Sequence, residues 1–394
     1  MKTGKSARIV VVGGGVTGLS TAWWLAKRGI DVVVVDKGIV GWEASGRNGG
    51  GAAHYYSPLF AEEQKLWPEL SDMLGYPTEF RPNRLAIALD EAQYKRAEDV
   101  VRIAEQVGKE AQALDLKELR EFVPFVGDNA IGGILFKFGG QANPQRTVQA
   151  YAWALQDLGG TIMQNTEVRG FEVSGGKVRA VVTESGVFGC DGVVIAAGPQ
   201  TRSLLAKLGI FIPLAAARVE MIVTAPVPLM RVGGTDGNGL YGRQTLRGNL
   251  AYGGGPHEWL NYENEGRTQR LPTTPLTQFI GKRLRQLFPK LEHIRVIRSW
   301  AGIVENTPDG TPVLDRLPSL ENVVVGTMSS VGFGLSPASG RALSELVVDG
   351  TCSFADLSSM RLSRFDGLAT DWQTAKGWTP PKRSSTSAMA GAPQ

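Results

Sequence analysis

Near the start of the chain, two mainly apolar runs flank a segment with helical spacing. Ile9–Val12 ends in glycines, and Asp31–Val35 ends at Asp36. Short continuous apolar runs are typical of parallel strands that are buried on both faces. Between them, Val16–Arg28 places apolar residues three and four positions apart, which is typical of an amphipathic helix. The pattern therefore predicts a strand–helix–strand unit over residues 8–36.

The same two periodicities predict most of the elements that follow. Helices are expected over Pro58–Gly75, Glu91–Val107, Asp115–Phe122, Asn143–Leu158, Leu271–Phe288 and Pro337–Val348. Strands are expected over Arg84–Leu89, Thr161–Gln164, Val168–Val173, Lys177–Thr183, Val187–Cys190, Val193–Ala197, Arg218–Thr224, Asn249–Tyr252 and Val323–Val325. Asn143 followed by proline is typical of a helix start, and Gly175-Gly176 of a hairpin turn.

Composition narrows the classes of function. The 394 residues carry 42 basic and 38 acidic side chains, a net charge of +4, without a run of Lys or Arg, which argues against nucleic-acid binding. Two cysteines, Cys190 and Cys352, argue against a disulfide framework or a metal cluster. No long apolar stretch and no apolar leader occur, so we expect a cytoplasmic protein without a membrane span.

Gly13, Gly15 and Gly18 stand where the first strand meets the helix, in the spacing G-x-G-x-x-G. The first glycine permits a tight turn, the second lets a pyrophosphate approach the backbone, and the third lets helix and strand pack closely. Asp36 has the spacing of a carboxylate that accepts hydrogen bonds from ribose hydroxyls. The unit predicts a dinucleotide site without separating FAD from NAD. The alternative is a glycine-rich turn that holds no ligand.

A second glycine-rich stretch follows closely, from Lys37 to Gly51. Its amides suit the flavin side of a long dinucleotide, whereas the same composition also fits a flexible surface loop. Four matches to one family occur in order, at Gly13–Gly18, Ala44–Gly50, Val193–Pro199, and the pair Trp300–Gly310 and Gly332–Pro337. Up to about Gly350, the chain resembles the D-amino-acid-oxidase-type (DAO) flavoproteins, which include sarcosine oxidase, glycine oxidase and D-hydroxyproline or opine dehydrogenases.

The resemblance implies a mixed α/β fold that binds FAD. We expect a Rossmann-like FAD-binding domain from residues 1–80, 140–215 and 300–365, interleaved with a substrate domain on an antiparallel sheet from residues 81–139 and 216–299, and a polar tail over residues 366–394. The implied FAD contacts are Gly13, Gly15, Val16, Thr17, Gly18, Asp36, Lys37, Ser45, Gly46, Arg47, Asn48, Gly49, Val168, Ala197, Gly198, Gly302, Ser330, Val331, Gly332, Phe333, Gly334 and Leu335. Relatives with covalent flavin carry a histidine where this chain has Asn48, or a cysteine near Trp300–Asp309, where it has none. A non-covalent FAD is therefore expected.

The resemblance also implies a reaction, in which a neutral amine loses a hydride to flavin N5 and the resulting imine hydrolyses. Arg243 is the candidate anchor for a substrate carboxylate, Tyr241 a second contact, and His54 a candidate base or hydrogen-bond donor. The alternatives are a solvated surface charge for Arg243 and a structural role for His54.

Residues 249–253 lack the lysine with which sarcosine-oxidase-like members promote the reaction with oxygen. Its absence favours a dehydrogenase over an oxidase. Two other functions stay open: a 2-hydroxy-acid dehydrogenase of the same superfamily, and a β-type subunit that is active only with a partner chain. No motif sets the substrate, the electron acceptor or the oligomeric state.

Overall fold

Four β-sheets carry the fold over residues 9–106, 108–260 and 271–373, the part of the chain that the computed structural model describes. The first ten strands are β1 (Ile9–Val12), β2 (Val32–Val35), β3 (Gly51–Ala52), β4 (Arg81–Ala88), β5 (Ala111–Asp115), β6 (Gly132–Gln141), β7 (Thr161–Met163), β8 (Val168–Ser174), β9 (Lys177–Thr183) and β10 (Gly186–Gly189). The later strands are β11 (Gly192–Ile195), β12 (Ala215–Pro226), β13 (Thr235–Asp236), β14 (Leu240–Gln244), β15 (Asn249–Gly254), β16 (Glu258–Leu260), β17 (Val296–Asn306), β18 (Val313–Arg316) and β19 (Val323–Thr327). The helices are α1 (Val16–Lys27), α2 (Ala44–Arg47), α3 (Phe60–Leu74), α4 (Glu91–Gln106), α5 (Leu116–Phe122), α6 (Pro144–Asp157), α7 (Thr201–Ala206), α8 (Thr274–Leu287) and α9 (Gly332–Val348).

A mainly parallel sheet, in the order β18-β19-β11-β1-β2-β7, forms one half of the molecule, and β18 is its antiparallel edge. β1 lies near the centre, where Val10 is in register with Val33 and Val193. Every residue of β1, β2 and β11 is buried, as their uninterrupted apolar sequences predict. The carboxyl ends of these three strands therefore meet at one edge of the sheet.

Each face of this sheet is covered by a separate layer. Helices α1, α3, α6 and α9 share one hydrophobic core with the first face. The three-stranded antiparallel sheet β10-β9-β8 and α7 cover the second face. β1 is buried on both sides because a layer packs against each of its faces.

Two sheets of five strands each form the other half. One has the order β13-β4-β6-β3 with β5 paired to β6, and the other has the order β14-β15-β12-β16 with β17 paired to β12. A core that includes residues of α5 and α8 lies between them. β17 pairs with β12 from Val296 to Asn306, so a single long strand leads from this half of the molecule back to the parallel sheet.

The mixed α/β fold class is confirmed, and the unit from β1 to β2 forms as the sequence predicts. The predicted start of the last helix at Pro337 is wrong, because α9 begins at Gly332. Glycine and proline disfavour helix, but burial of Phe333 and Leu335 in the core holds this segment in the helix. The strands β3, β5, β6, β13, β14, β16, β17 and β18 were not predicted. In β6, β14 and β17, glycines and polar residues interrupt the alternation.

Within the described ranges, no helix is long and apolar enough to cross a membrane. Over the same ranges, no three His, Cys, Asp or Glu side chains are grouped to hold a metal. Cys190 and Cys352 are free thiols. The predicted start at Arg8 and the tail beyond residue 373 lie outside the described residues, and the predicted domain bounds stay a prediction.

Candidate cofactor and substrate site

A cavity of about 270 Å³ lies at the edge where β1, β2 and β11 end. Open parallel sheets bind their ligands in such a crevice. Its walls come from the β1–α1 turn, residues 35–45, residues 166–169, residues 196–207, the end of β17 and the start of α9. The cavity therefore extends from the parallel sheet to the strand that arrives from the other half of the molecule.

Two positions where β1 meets α1 have room only for glycine, because other backbone atoms lie very close to them. Gly13 has φ +116°, and a Cβ atom there would lie 2.3 Å from the carbonyl oxygen of Ala196. A Cβ atom on Gly18 would lie 2.0 Å from the carbonyl oxygen of Gly13. A larger residue at either position would separate elements that now touch. These glycines let α1 begin directly beside the cavity.

The N-terminus of α1 faces the cavity. The N–H of Leu19 donates to the Gly15 carbonyl at 2.9 Å as the first bond within the helix, so the preceding amides have no helical acceptor. The Ser45 hydroxyl accepts from the Val16 N–H at 2.9 Å, and Thr17 lies on the cavity wall. Free amides and the helix dipole together suit this end to an anionic group such as a pyrophosphate.

The Asp36 carboxylate is fixed at one end of the cavity. Its Oδ2 accepts from the Gly14 N–H at 2.6 Å, and its Oδ1 accepts from the Gly38 N–H at 2.7 Å. Because each carboxylate oxygen has two acceptor positions, Asp36 can also accept from hydroxyl groups of a ligand. The bond to Gly14 joins the acid and the glycine turn into one surface.

The second glycine-rich stretch is ordered by Asn48. Its Nδ2 donates to the carbonyls of Ala44 and Ser45 at 3.0 and 2.8 Å, and its Oδ1 accepts from the Gly50 N–H at 2.8 Å. A short helix, α2, precedes this residue. Much of this stretch therefore forms part of the cavity wall, and Asn48 holds its backbone from Ala44 to Gly50 through hydrogen bonds.

The turn before α9 forms another part of the cavity wall, where Ser330 lines it. Ser329 and Ser330 have φ +47° and +69°, in the left-handed region that residues other than glycine rarely adopt. The Ser330 hydroxyl donates to Asn306 Oδ1 at 2.8 Å, which ties this turn to the end of β17. Such strained backbone concentrates at ligand sites.

Glu305 is a buried acid on the same wall. Its Oε1 accepts from the Met328 N–H at 2.9 Å and from the Thr327 hydroxyl at 3.2 Å. Its Oε2 lies 3.7 Å from the position of a Cβ atom on Gly198, another residue of the cavity wall. Burial raises the pKa of Glu305, and the bond from Met328 opposes this shift. Because each carboxylate oxygen has two acceptor positions, Glu305 can also accept from a hydroxyl group of a ligand.

Residues 8–346 match the sequence model of the DAO family, described as FAD dependent oxidoreductase. The chain belongs to this family. It is 29% identical to sarcosine oxidase subunit beta of Rhodobacter capsulatus over 387 residues, which cover 94% of this chain and 91% of that protein. It is 27% identical to glycine oxidase of Pseudomonas putida over 352 residues, covering 87% and 94% of the two chains. The crystal structure of glycine oxidase from Geobacillus kaustophilus matches with a TM-score of 0.83 at 25% identity, over 92% of this chain and 99% of that chain.

The cavity of this DAO-family protein fits FAD. The N-terminus of α1 suits the pyrophosphate, and Asp36 suits the ribose hydroxyls of the adenosine end. Glu305 lies on the same cavity wall, and its carboxylate can accept from a hydroxyl of the ribityl chain. The family depends on FAD, and these residues supply donors and acceptors that suit its parts.

Many of the expected FAD contacts lie on the cavity wall, namely Gly13, Gly15, Val16, Thr17, Asp36, Lys37, Ser45, Asn48, Val168, Ala197, Gly198, Ser330, Gly332 and Phe333. The remaining ones do not line the cavity, namely Gly18, Gly46, Arg47, Gly49, Gly302, Val331, Gly334 and Leu335. Gly18 acts through packing, and Arg47 bonds to the backbone around the site. Direct contact between FAD and each of these residues stays a prediction.

Sequence reasoning missed several wall residues, among them Trp42, Thr166, Lys207, Glu305 and Met328. Glu305 lies inside the Trp300–Gly310 segment that supported the family resemblance, so that segment was the available signal. Trp42 lies in the glycine-rich stretch from Lys37 to Gly51, whereas Thr166, Lys207 and Met328 belong to no motif. They reach the cavity because separate elements converge there.

Two of the three candidate substrate contacts lie on one face of β14. A Cβ atom on Gly49 would lie 3.1 Å from Cδ2 of Tyr241, and a Cβ atom on Gly50 would lie 3.0 Å from Cδ of Arg243. β14 therefore packs directly on the backbone that follows Asn48. Since a side chain at either glycine would push β14 away, the glycines set this approach.

The third candidate, His54, is engaged elsewhere. Its Nδ1 lies 2.7 Å from Oε1 of Glu63, and its backbone N–H donates to Oε2 of the same residue at 3.0 Å. The Glu63 side chain has no solvent exposure. The His54 ring also packs against Gly334 of α9. These contacts join the segment after β3 to α3 and α9.

Proposed function

We propose that this DAO-family protein oxidises an amino acid or a secondary, N-substituted amine, and that it works as a dehydrogenase. The observation that carries the proposal is the packing of Tyr241 and Arg243 on Gly49 and Gly50, which directly follow Asn48 of the cavity wall. Bound FAD supplies the acceptor for a hydride from the carbon beside the amine, and the imine product hydrolyses. The side chains of the protein bind and orient the substrate.

Arg243 is proposed to anchor the substrate carboxylate. Its guanidinium makes no hydrogen bond to another residue in the described part of the chain, and its Nε atom is buried without a partner. Burial lowers its pKa to about 10, so the group keeps its charge at neutral pH. A buried cation that lacks a bonded acid favours an anionic ligand, because the ligand replaces the lost hydration.

Tyr241 is proposed to close the substrate pocket on the side of β14. Its ring covers Gly49, and its hydroxyl lies 3.0 Å from the position of a Cβ atom on Gly253 of β15. An aromatic ring at this place excludes water and leaves the hydroxyl free to donate to a polar group of the substrate. The proposed function requires both properties, because the amine must lie neutral and dry when it reacts.

The preference for an acceptor other than oxygen rests on β15. Its sequence, Asn-Leu-Ala-Tyr-Gly-Gly, contains no lysine. In sarcosine-oxidase-like members, a lysine above the flavin promotes the reaction with oxygen, so its absence supports slow reoxidation by oxygen.

A β-type subunit is the second candidate. The similarity to a sarcosine oxidase subunit beta over 94% of the chain supports it. In this case, the purified chain would bind FAD and turn over only with a partner chain that accepts its electrons. The non-covalent FAD expected from Asn48 is part of both candidates.

Anaerobic flavin reduction tests the proposed function. The purified yellow protein would be mixed with sarcosine, D-amino acids, proline derivatives, opines and 2-hydroxy acids, and flavin bleaching would be followed by absorbance. We expect bleaching with at least one amine and reoxidation by an artificial acceptor faster than by oxygen. Bleaching by 2-hydroxy acids alone would show that the amine proposal is wrong.

A further inference from the structure

One end of the sheet that contains β12 forms a continuous surface from three separate segments. They are residues 225–230 at the end of β12, residues 245–249 between β14 and β15, and residues 295–299 at the start of β17. The Val227 N–H donates to the Gly248 carbonyl at 3.0 Å, and the Ala225 N–H donates to the Arg295 carbonyl at 2.8 Å, so the segments lie side by side. We call this surface the sheet-end face.

Four large apolar side chains of the sheet-end face are exposed. They are Leu229, Leu246, Val296 and Ile297, and between 42% and 60% of each is accessible to solvent. Single apolar residues are ordinary on a protein surface, whereas a group of them marks a binding surface. A contact with another molecule would remove all four from water, which is favourable.

β17 adds the edge of a sheet to this face. Within the described ranges, β17 pairs with β12 alone. The register of this pairing shifts between Arg298 and Val296, so Ile297 has no partner residue on β12. A β-bulge in an edge strand changes the direction of its side chains, and the edge itself offers backbone donors and acceptors to another chain. Ile297 is therefore placed for a contact outside the sheet.

All charged side chains of the sheet-end face are positive. Its three segments contain Arg247, Arg295 and Arg298, and they contain no Asp, Glu or Lys. The three arginines are exposed, and among the described residues none of them forms an ion pair or a side-chain hydrogen bond. Arginine is enriched where proteins meet and lysine is not, because the planar guanidinium binds a carboxylate through two parallel bonds. Apolar side chains beside unpaired arginines thus suit an apolar surface that carries carboxylates.

The charges of this chain do not complement the face. A two-fold contact with a second copy would set the same arginines against each other, and like charges across an interface are unfavourable. Outside the described residues, residues 1–8 and 374–394 carry only basic charged side chains, and residues 261–270 have a net charge of zero from two glutamates and two arginines. The complementary surface therefore belongs to another protein.

We propose that the sheet-end face binds an acidic partner protein. Val296 and Ile297 form the apolar centre of the contact, and the arginines of the face pair with carboxylates of the partner. β17 begins at this face, and its later residues from Ile303 onward line the cofactor cavity, about 23 Å away at the usual rise of a strand. The docking surface and the cavity therefore lie at opposite ends of one strand. The proposal adds a partner surface to the proposed function and holds for any substrate.

Two labelled peptides test the charge and the apolar centre of the face. A rhodamine-labelled peptide of alternating glutamate and leucine, and a matching peptide of lysine and leucine, would be titrated with the holoenzyme while fluorescence anisotropy is measured. We expect the acidic peptide alone to bind. Its dissociation constant should rise by about 10-fold or more in Ile297→Ser and in the double variant Arg295→Ser, Arg298→Ser.

Matched controls for the peptide titration lie on the sheet formed by β8, β9 and β10. Val187 and Arg179 are exposed there, and Val187→Ser and Arg179→Ser should bind the acidic peptide as the wild type does. Unchanged flavin absorbance and melting temperature show that each variant is folded. Equal binding of the acidic peptide by all of these proteins, or no binding by the wild type, would overturn the proposal.

Two further measurements test the other occupants of the face. Sedimentation velocity compares the wild type with Ile297→Glu, and we expect equal masses; a smaller mass of the variant would assign the face to a contact between copies and overturn the proposal. Vesicles that contain phosphatidylserine are sedimented with the wild type and with the double arginine variant, and we expect neither protein to bind. Vesicle binding by the wild type that the variant lacks would assign the face to a membrane and overturn the proposal as well. None of these measurements requires turnover, so their results stand even if no amine reduces the flavin.

Discussion

Trp300 donates a hydrogen bond to Arg47, and Arg47 donates one to Ala301, the neighbour of Trp300, so that α2 and β17 are joined twice. Nε1 of Trp300 donates to the Arg47 carbonyl at 2.9 Å, and Nη1 of Arg47 donates to the carbonyl of Ala301 at 2.7 Å. Nε of Arg47 donates to the Trp42 carbonyl at 2.6 Å, and its guanidinium lies 4.6 Å above the Trp42 ring. Neither Arg47 nor Trp300 lines the cavity, but their hydrogen bonds hold α2 against β17, and other residues of both elements line it.

Replacing Arg47 by Ala should weaken FAD binding without removing a direct contact. The variant loses two charge-assisted hydrogen bonds that position α2, so we expect the dissociation constant of FAD to rise by about 10-fold or more. Flavin fluorescence during dilution of the holoenzyme measures this change. Arg179→Ala, an exposed site on β9, is the matched control and should leave the constant unchanged. Equal effects of the two variants would contradict the positioning role.

Gly13→Ala should abolish FAD binding at micromolar concentration. The added Cβ atom would lie 2.3 Å from the Ala196 carbonyl oxygen, at a φ of +116° that alanine does not adopt without strain. Gly170→Ala is the control, because nothing lies within 4 Å of a Cβ atom at that position. The flavin absorbance retained after gel filtration reports the result. Normal flavin content in Gly13→Ala would show that the turn tolerates a side chain.

His54→Ala should reduce stability more than it reduces the rate of flavin reduction. Removing the imidazole leaves the fully buried Glu63 carboxylate with a single partner, which typically costs about 3–5 kcal/mol. Urea denaturation measures the loss, and Glu63→Gln in the same background should recover part of it, since a neutral amide is less costly to bury. A loss of rate of more than 100-fold at unchanged stability would instead assign His54 to the reaction.

Glu305 should make the protein less stable as pH rises. Burial raises its pKa in the folded state, so the folded protein binds this proton more tightly than the unfolded chain does. Its contribution to the free energy of unfolding is fully present below the unfolded pKa and is lost as pH rises through the folded pKa. Urea denaturation of the FAD-free protein from pH 5 to pH 8 measures this change. Glu305→Gln should remove the dependence, and an identical pH profile in both proteins would contradict it.

Acid precipitation should release all of the flavin into solution. All three hydrogen bonds of the Asn48 amide go to the backbone of its own segment, and it offers no nucleophile. Among the described residues, the cavity wall includes neither His nor Cys. The absorbance of the supernatant and the mass of the precipitated chain measure the outcome. A chain heavier by the mass of FAD would contradict the prediction.

The elements around the adenosine end were predictable because their signals are local. The apolar runs of β1 and β2, the spacing of Gly13 and Gly18, and Asp36 lie within one short segment, where periodicity and φ requirements act between near neighbours. The capped start of α6 at Asn143 is of the same kind, because its side chain accepts from the amides of the first turn. Beyond this segment, the family motifs were needed to select Asn48 and Ser330 as candidate FAD contacts.

Contacts between distant segments were decided only by the tertiary structure. The sequence by itself determined a dinucleotide turn, an α/β fold and a set of candidate polar residues. The fold then paired His54 with Glu63, joined Arg47 to β17, and brought Arg81 and Arg243 to the wall of one small cavity. No periodicity encodes these pairs, since each depends on how separate sheets pack and on which buried polar group finds a partner.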